Sequence, residues 1–200
     1  MGALNLHSLL FNSFSQMQQH KKISNTDLER LDVETYKAMQ KSPIVVVLDN
    51  VRSLNNVGAF FRTSDAFAVN SIFLCGITAQ PPHREINKTA LGATESVDWQ
   101  HFESTLKALH QLKTEGYKLV AIEQTEQSTS LHNFTRKENE KIAIVFGHEV
   151  NGVDQEVINI CDEVIEIPQF GTKHSLNVSV SAGVILWELT KVKLQNQKHS

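Results

Sequence analysis

The 200-residue chain carries 19 Lys and Arg against 22 Asp and Glu, a formal net charge of −3, with 40% hydrophobic and 20% charged residues. These values suit one globular domain with a full core and exclude coating of nucleic acid by bulk charge, which needs a strongly basic chain. There is no apolar run of about 18 residues and no basic-apolar-small leader, so neither a membrane span nor secretion is indicated and a cytoplasmic address is expected.

The first 42 residues form an expected helical extension. Leu9-Leu10-Phe11, Phe14 and Met17 suggest one helix, and Thr26-Asp27-Leu28-Glu29 has the form of a capping box opening another that runs to about Gln40. After Pro43, β-branched runs alternate with helical stretches, the pattern of a mostly parallel sheet flanked by helices. This predicts one α/β domain over 43–194 and a flexible tail over 195–200. Strands are expected at Ile44–Leu48, Ser71–Cys75, Lys118–Ile122, Ile142–Phe146 and Glu163–Ile167. The first and fourth are apolar throughout, as strands buried on both faces are. Helices are expected near 56–68, 103–115, 153–160 and 176–193, with Asn56 as N-cap of the first and Gly116 as the stop of the second. Cys75 and Cys161, each beside apolar residues, are expected to be buried thiols. The last helix has two apolar stripes, Val178, Ala182, Ile185, Leu189 and Val192 on one side and Val180, Val184 and Trp187 nearly opposite. One stripe can cover the sheet. The other calls for a further helix of the chain or a second subunit.

Three segments carry residues that packing does not explain. Asn55-Asn56-Val57-Gly58-Ala59-Phe60-Phe61-Arg62-Thr63 opens a helix after a strand, and its glycine either admits a ligand to the helix start or permits close packing. Arg62 is placed to turn back toward the strand ends, where open α/β sheets bind ligands. Phe146-Gly147-His148-Glu149-Val150-Asn151-Gly152 leaves a buried strand and sets Glu149 at the same end. After the loop Ile167–His174, Ser175-Leu176-Asn177-Val178-Ser179-Val180-Ser181-Ala182-Gly183 puts small and polar residues where a core helix would start with Leu or Ile. The spacings exclude zinc-protease and zinc-deaminase motifs, glycine-rich dinucleotide and phosphate loops, and the serine nucleophile elbow.

Taken in order, these segments resemble the three motifs of the SpoU/TrmH family of RNA 2′-O-ribose methyltransferases, within the SPOUT class, and the resemblance runs from about Ile44 to Leu189. It implies a SPOUT-type fold with a C-terminal trefoil knot around 167–190 and a homodimer with cofactor sites near its interface. It implies S-adenosylmethionine-dependent 2′-O-methylation of a ribose in structured RNA, with no metal. The implied catalytic residues are Arg62, Glu149, Ser175 and Asn177. Arg62 would steady charge on the ribose oxygen, Ser175 and Asn177 would place methyl donor and hydroxyl, and Glu149 would hold Arg62 or Asn177. The donor is expected against Phe146, Gly147, Ile167, Pro168, Phe170, Gly171, Ser175 and Leu176, and the RNA at Asn56, Arg62, Lys88 and Lys173. The stretch Lys88–Glu95 is expected to help shape the target pocket. Where His148 stands, Asn is common in the family. The short extension favours tRNA over rRNA as the expected target. The alternative is a non-catalytic RNA-binding protein that kept the fold. A local basic surface would draw on Lys21, Lys22, Arg84, Lys88, Lys173, Lys191, Lys193 and Lys198.

Overall fold

The computed structural model describes residues 20–24, 26–28, 30–137 and 139–197. The chain divides into two compact units, Met1–Asp32 and Val33–Ser200. In the first, the described residues form no helix. Asp27 N–H donates to the Ser24 carbonyl at 3.1 Å, and the Thr26 hydroxyl pairs with Ser24 Oγ at 2.6 Å. The helix expected from Thr26 to Gln40 is reduced to α1, Val33–Ala38, because the Thr26 hydroxyl is engaged by its neighbours instead of capping amides, and Leu28 and Leu31 are exposed. The helix expected over Leu9–Met17 and the capping-box residue Glu29 lie outside the described residues.

In the second unit, β1 (Ser42–Asp49), β2 (Val69–Cys75), β3 (Asp98–Phe102), β4 (Lys118–Ile122), β5 (Thr129–Ser130), β6 (Ile142–Phe146) and β7 (Glu163–Glu166) form one sheet in the order β3-β2-β1-β6-β4-β7-β5. Every pair is parallel. Alternation along β1 splits its apolar run between two cores. Ile44, Val46 and Leu48 join Phe60, Phe61, Ile86, Ala182, Ile185 and Leu186, from α2 (Leu54–Ala66), α3 (Arg84–Ala90) and α7 (Val178–Gln197). Val45 and Val47 join Ala108, Leu109, Leu112 and Val157, from α5 (Thr105–Thr114) and α6 (Gln155–Ile160). A short α4 (Ala93–Ser96) leads into β3. Cys75 is buried and Cys161 half-buried, and burial pushes both thiols up to about 12.

Two strands were not expected: β3 is a mostly exposed edge strand, Asp-Trp-Gln-His-Phe, and β5 has only two residues. The N-cap of α2 is Ser53, whose hydroxyl accepts from Asn56 N–H at 3.3 Å, so Asn56 lies inside the first turn with its amide free for other partners. Gly116, at φ +82°, ends α5 as expected. The carboxylate of Asp49, at the buried end of β1, accepts from the Thr105 hydroxyl at 2.6 Å, Asn50 Nδ2 at 2.9 Å and Asp154 N–H at 2.9 Å. It thereby ties the starts of α5 and α6 to the central strand.

Gly58 belongs to packing. A Cβ there would lie 2.1 Å from Thr89 Oγ1 and 2.2 Å from the Ile86 carbonyl, so α2 and α3 cross with backbone nearly touching side chain. Gly58→Ala should therefore lower stability by about 1–3 kcal/mol, the range for overpacking, despite alanine's better helix propensity. Urea denaturation checks this, and an unchanged midpoint would refute it.

Candidate active site

The sheet order reverses about β1 and β6, and β1 carries β2 on one side and β6 on the other. Such a switch point opens a crevice beyond the carboxyl ends of the strands. Four segments meet there: 50–53 after β1, 123–125 after β4, 147–153 after β6 and 167–177 after β7. The Glu149 carboxylate crosses the crevice to the first of them. It accepts from Arg52 N–H at 3.0 Å, Ser53 N–H at 2.9 Å and Asn56 Nδ2 at 2.9 Å. Burial works to raise its pKa, but the donors from Asn56, Arg52, Ser53 and its own backbone outweigh that and hold Glu149 below the usual carboxylate value.

The carboxylate sets the polarity of everything beyond it. Because Asn56 turns its NH2 to Glu149, its carbonyl oxygen faces the other way and accepts from Asn177 Nδ2 at 3.2 Å. The Asn177 oxygen then receives the Ser179 hydroxyl at 2.6 Å and Ser179 N–H at 2.9 Å, which caps α7. Ser179 Oγ also lies 3.4 Å from Asn56 Oδ1. All three sequence segments thus meet in one directed chain, Glu149–Asn56–Asn177–Ser179.

Beside this chain lies a cavity of about 610 Å³, whose apolar wall includes Ile122, Phe146, Ile165, Ile167, Leu176 and Val178. Glycine is required at its rim: a Cβ on Gly147 would lie 2.1 Å from the Gly152 carbonyl carbon, and one on Gly152 (φ +71°) would lie 2.1 Å from Glu123 Oε2. The His148 and Gly152 backbones pair in both directions at 2.9 Å. His148 Nδ1 accepts from Val150 N–H at 3.0 Å and Asn151 N–H at 3.3 Å, so the ring organises the turn.

Of the expected residues, Phe146, Gly147, Glu149, Ile167, Ser175, Leu176 and Asn177 line this cavity, and Asn56 joins them through the hydrogen-bond chain. Pro168, Phe170 and Gly171 are in the adjoining loop but off the wall, with the Phe170 ring fully exposed. Glu149 contacts neither Arg62 nor Asn177 directly and reaches Asn177 through Asn56. Arg62 is exposed on the outer stripe of α2 with Asn55, Ala59 and Ala66, and makes no hydrogen bond or ion pair among the described residues. Lys88 is paired with Glu85 at 2.7 Å, and Lys173 is exposed. Sequence reasoning missed Ser179, Glu123 and Gln124. Ser179 was visible as a polar residue in the first turn of an apolar helix, whereas the others lie in a loop without a motif. Among the described residues, no group of three or more His, Cys, Asp or Glu is arranged to hold a metal, and no helix is long and apolar enough to cross a membrane.

Residues 43–187 match the model of the SpoU rRNA Methylase family. The chain belongs to that family. It is 31% identical over 169 residues to a tRNA (guanosine(18)-2'-O)-methyltransferase of Aquifex aeolicus, covering 84% of this chain and 77% of that protein. It is 29% identical over 170 residues to a 23S rRNA (guanosine-2'-O-)-methyltransferase of Vibrio vulnificus, covering 85% of this chain and 68% of that one. The chain spans about two thirds of the length of such rRNA enzymes. Among solved structures, the A. aeolicus TrmH/SpoU tRNA modifying enzyme superposes with a TM-score of 0.71 at 27% identity, over 82% of both chains. An AdoMet-bound rRNA methyltransferase from Sinorhizobium meliloti superposes at 0.69 and 26% identity, over 74% of this chain and 56% of that one. The SpoU/TrmH members are SPOUT methyltransferases, and the all-parallel sheet flanked by helices is theirs.

The Glu149 hydrogen bonds carry a pH signature. A carboxylate whose folded pKa is depressed adds stability that is complete above the unfolded value, about 4.3, and is lost as pH falls through the folded pKa. Because the group is partly exposed, the contribution is about 1 kcal/mol after screening. Wild type should therefore exceed Glu149→Gln by a constant margin from about pH 5 to 7, and the margin should close below about pH 4. Denaturation curves across that range decide the matter, and a gap that persists at low pH would contradict the assignment.

Proposed function

We propose that the chain is an S-adenosylmethionine-dependent RNA 2′-O-ribose methyltransferase acting on structured RNA, with tRNA placed first. The observation that carries this reading is the Glu149–Asn56–Asn177–Ser179 chain beside the cavity, which brings together residues of all three motif segments. The cavity suits the donor. Its volume falls within the range of small-molecule sites, its apolar wall can take adenine, and the close Gly147–Gly152 packing fixes the rim. The likeness to the A. aeolicus tRNA enzyme supports the order of RNA classes. We further propose that the segment from Ile167 into α7 forms the family's trefoil knot.

When bound, S-adenosylmethionine supplies a sulfonium methyl, whose bond to sulfur breaks as its bond to the ribose oxygen forms. The protein's task is alignment and charge. Asn177, fixed from behind by Asn56 and Ser179, presents its amide at the cavity edge, and Ser175 adds a hydroxyl that makes no hydrogen bond among the described residues. Arg62 offers a permanently charged fork to the developing alkoxide and is a poor base for the same reason. The hydroxyl proton leaves to an RNA phosphate or water.

Assembly bears on Arg62. Val180, Val184 and Trp187 are 52%, 38% and 54% exposed along the outward stripe of α7, while Ala182, Ile185 and Leu189 are buried on the sheet side. The neighbouring outward stripe of α2 holds Arg62, and the two helices pack together, with Phe67 and Trp187 rings 6.4 Å apart. An apolar stripe of this kind suits a second copy of the chain, and a dimer across it sets Arg62 at the subunit boundary. Trp187→Glu should then shift the protein toward monomer in light scattering over a dilution series, since a buried unpaired charge is strongly unfavourable. A wild type that is monomeric throughout would refute the dimer.

Arg62→Ala should leave the donor's dissociation constant within a few-fold and slow transfer by on the order of 10²–10³, the effect of losing a group that stabilises transition-state charge. RNA with a 2′-deoxy target nucleotide should bind and accept no methyl. Methylation of that RNA would place the target on a base, and failure of the wild-type protein to bind S-adenosylmethionine in calorimetry would favour the non-catalytic RNA-binding alternative.

A further inference from the structure

The segment 168–176, which gives the cavity Gln169, Ser175 and Leu176, is held unlike the others. Gly171 to Asn177 are all exposed, and among the described residues the nine-residue segment 168–176 makes one hydrogen bond. In it, Gln124 Nε2 donates to the His174 carbonyl oxygen at 2.9 Å. Gln124 is itself exposed, yet its backbone is firmly placed. The preceding residue, Glu123, donates its N–H to the Ile165 carbonyl at 3.1 Å, which extends the β4–β7 pairing by one step. Its carboxylate accepts from Gln124 N–H at 2.8 Å through one oxygen and from Val153 N–H at 3.0 Å through the other. The second oxygen also sits against Gly152, where any side chain would collide with it. One dipeptide at the end of β4 therefore clasps both loops that bound the cavity: Glu123 grips 147–153 and Gln124 grips 168–176.

We propose that Glu123 and Gln124 are positioning residues for the methyl donor, setting its affinity by holding the Gln169–Leu176 wall against the fixed Gly147–Val153 rim. This rests on the methyl-donor reading of the cavity. Gln169, Ser175 and Leu176 are wall residues that make no hydrogen bond of their own among the described residues, and between the anchored Ile167 and Asn177 the Gln124–His174 bond is what draws the segment to the cavity. The Glu149–Asn56–Asn177 chain, which aligns the reacting groups, does not pass through the clasp. Loss of the clasp should appear in donor binding and KM more than in kcat at saturating donor, because of the groups assigned to alignment only Ser175 stands on the clasped segment.

The test separates hydrogen-bond donation from mere bulk at position 124. Gln124→Glu keeps the shape but offers a carboxylate to a carbonyl, Gln124→Ala removes both, and Gln124→Lys restores a donor. S-adenosylmethionine affinity by calorimetry should fall about tenfold in Gln124→Glu and Gln124→Ala and stay near wild type in Gln124→Lys. Tryptic cleavage after Lys173 in the ligand-free protein supplies a readout independent of the donor. Gln124→Glu should speed cleavage at that site several-fold and Gln124→Lys should leave it near the wild-type rate, whereas Glu123→Ala should in addition speed amide exchange at His148, Gly152 and Val153, whose N–H groups are hydrogen-bonded. Equal affinity and equal cleavage in wild type and Gln124→Glu would overturn the proposal, as would a loss in Gln124→Lys as large as in Gln124→Glu. If wild type does not bind the donor, the methyltransferase reading fails, and the cleavage rates still decide whether the clasp holds the loop.

Discussion

The candidate site depends on where one carboxylate sends its charge. Glu149 is acceptor-only when ionised, and three donors from 50–56 converge on it. Two of these are backbone N–H groups at the entrance to α2, where helix geometry leaves amides unpaired, so the carboxylate satisfies a need that the fold itself creates. The third, Asn56, converts that demand into direction. With its NH2 committed, only its oxygen can face Asn177, and only the Asn177 oxygen is then left to cap α7. Removing the charge at one end therefore frees the orientation of amides two residues along the chain of contacts, and the start of α7 with them.

This arrangement is possible because the parallel sheet delivers its strands to one end. β1 and β6 are neighbours, so Asn50–Ser53 and Gly147–Gly152 leave the sheet side by side although they are about a hundred positions apart. Asp49 strengthens that end from below: fully buried, it holds the starts of α5 and α6 through Thr105 and Asp154. The buried carboxylate and the crevice carboxylate divide the labour, one fixing the scaffold and the other orienting the polar groups beside the cavity.

What could be read from the chain alone follows the range of the interactions. Ile44–Leu48 and Ile142–Phe146 announce central strands because burial on both faces demands unbroken apolar runs. Asp98–Phe102 is an edge strand with solvent on much of its surface, so its residues carry no such demand and resemble a loop. Ser53 and Asn56 are both good N-caps by type. The choice between them is made by Glu149, 93 positions away from Asn56, which claims the Asn56 amide. The motifs pointed to Phe146, Gly147, Glu149, Ile167, Ser175, Leu176 and Asn177 of the cavity lining, while their connectivity did not show: Glu149 was expected on Arg62 or Asn177, and the hand-over through Asn56 depends on a fold-level juxtaposition. Glu123 and Gln124 escaped because nothing in Ile-Glu-Gln-Thr distinguishes an exposed loop from a clasp until His174 is brought to it.

The unequal tethering of the cavity walls suits the chemistry proposed for them. Alignment of oxygen, methyl and sulfur tolerates little displacement, and Asn56 and Asn177, at the starts of α2 and α7, are each held by several bonds. Donor and demethylated product must exchange at every turnover, which needs a wall that opens at small energetic cost. A segment secured by one hydrogen bond, worth about 1 kcal/mol net, opens readily and closes again on the same partner. Placing the bond at the end of β4 links the loose wall to the strand that abuts β6 and β7, so closure returns it to the same position relative to the fixed polar groups.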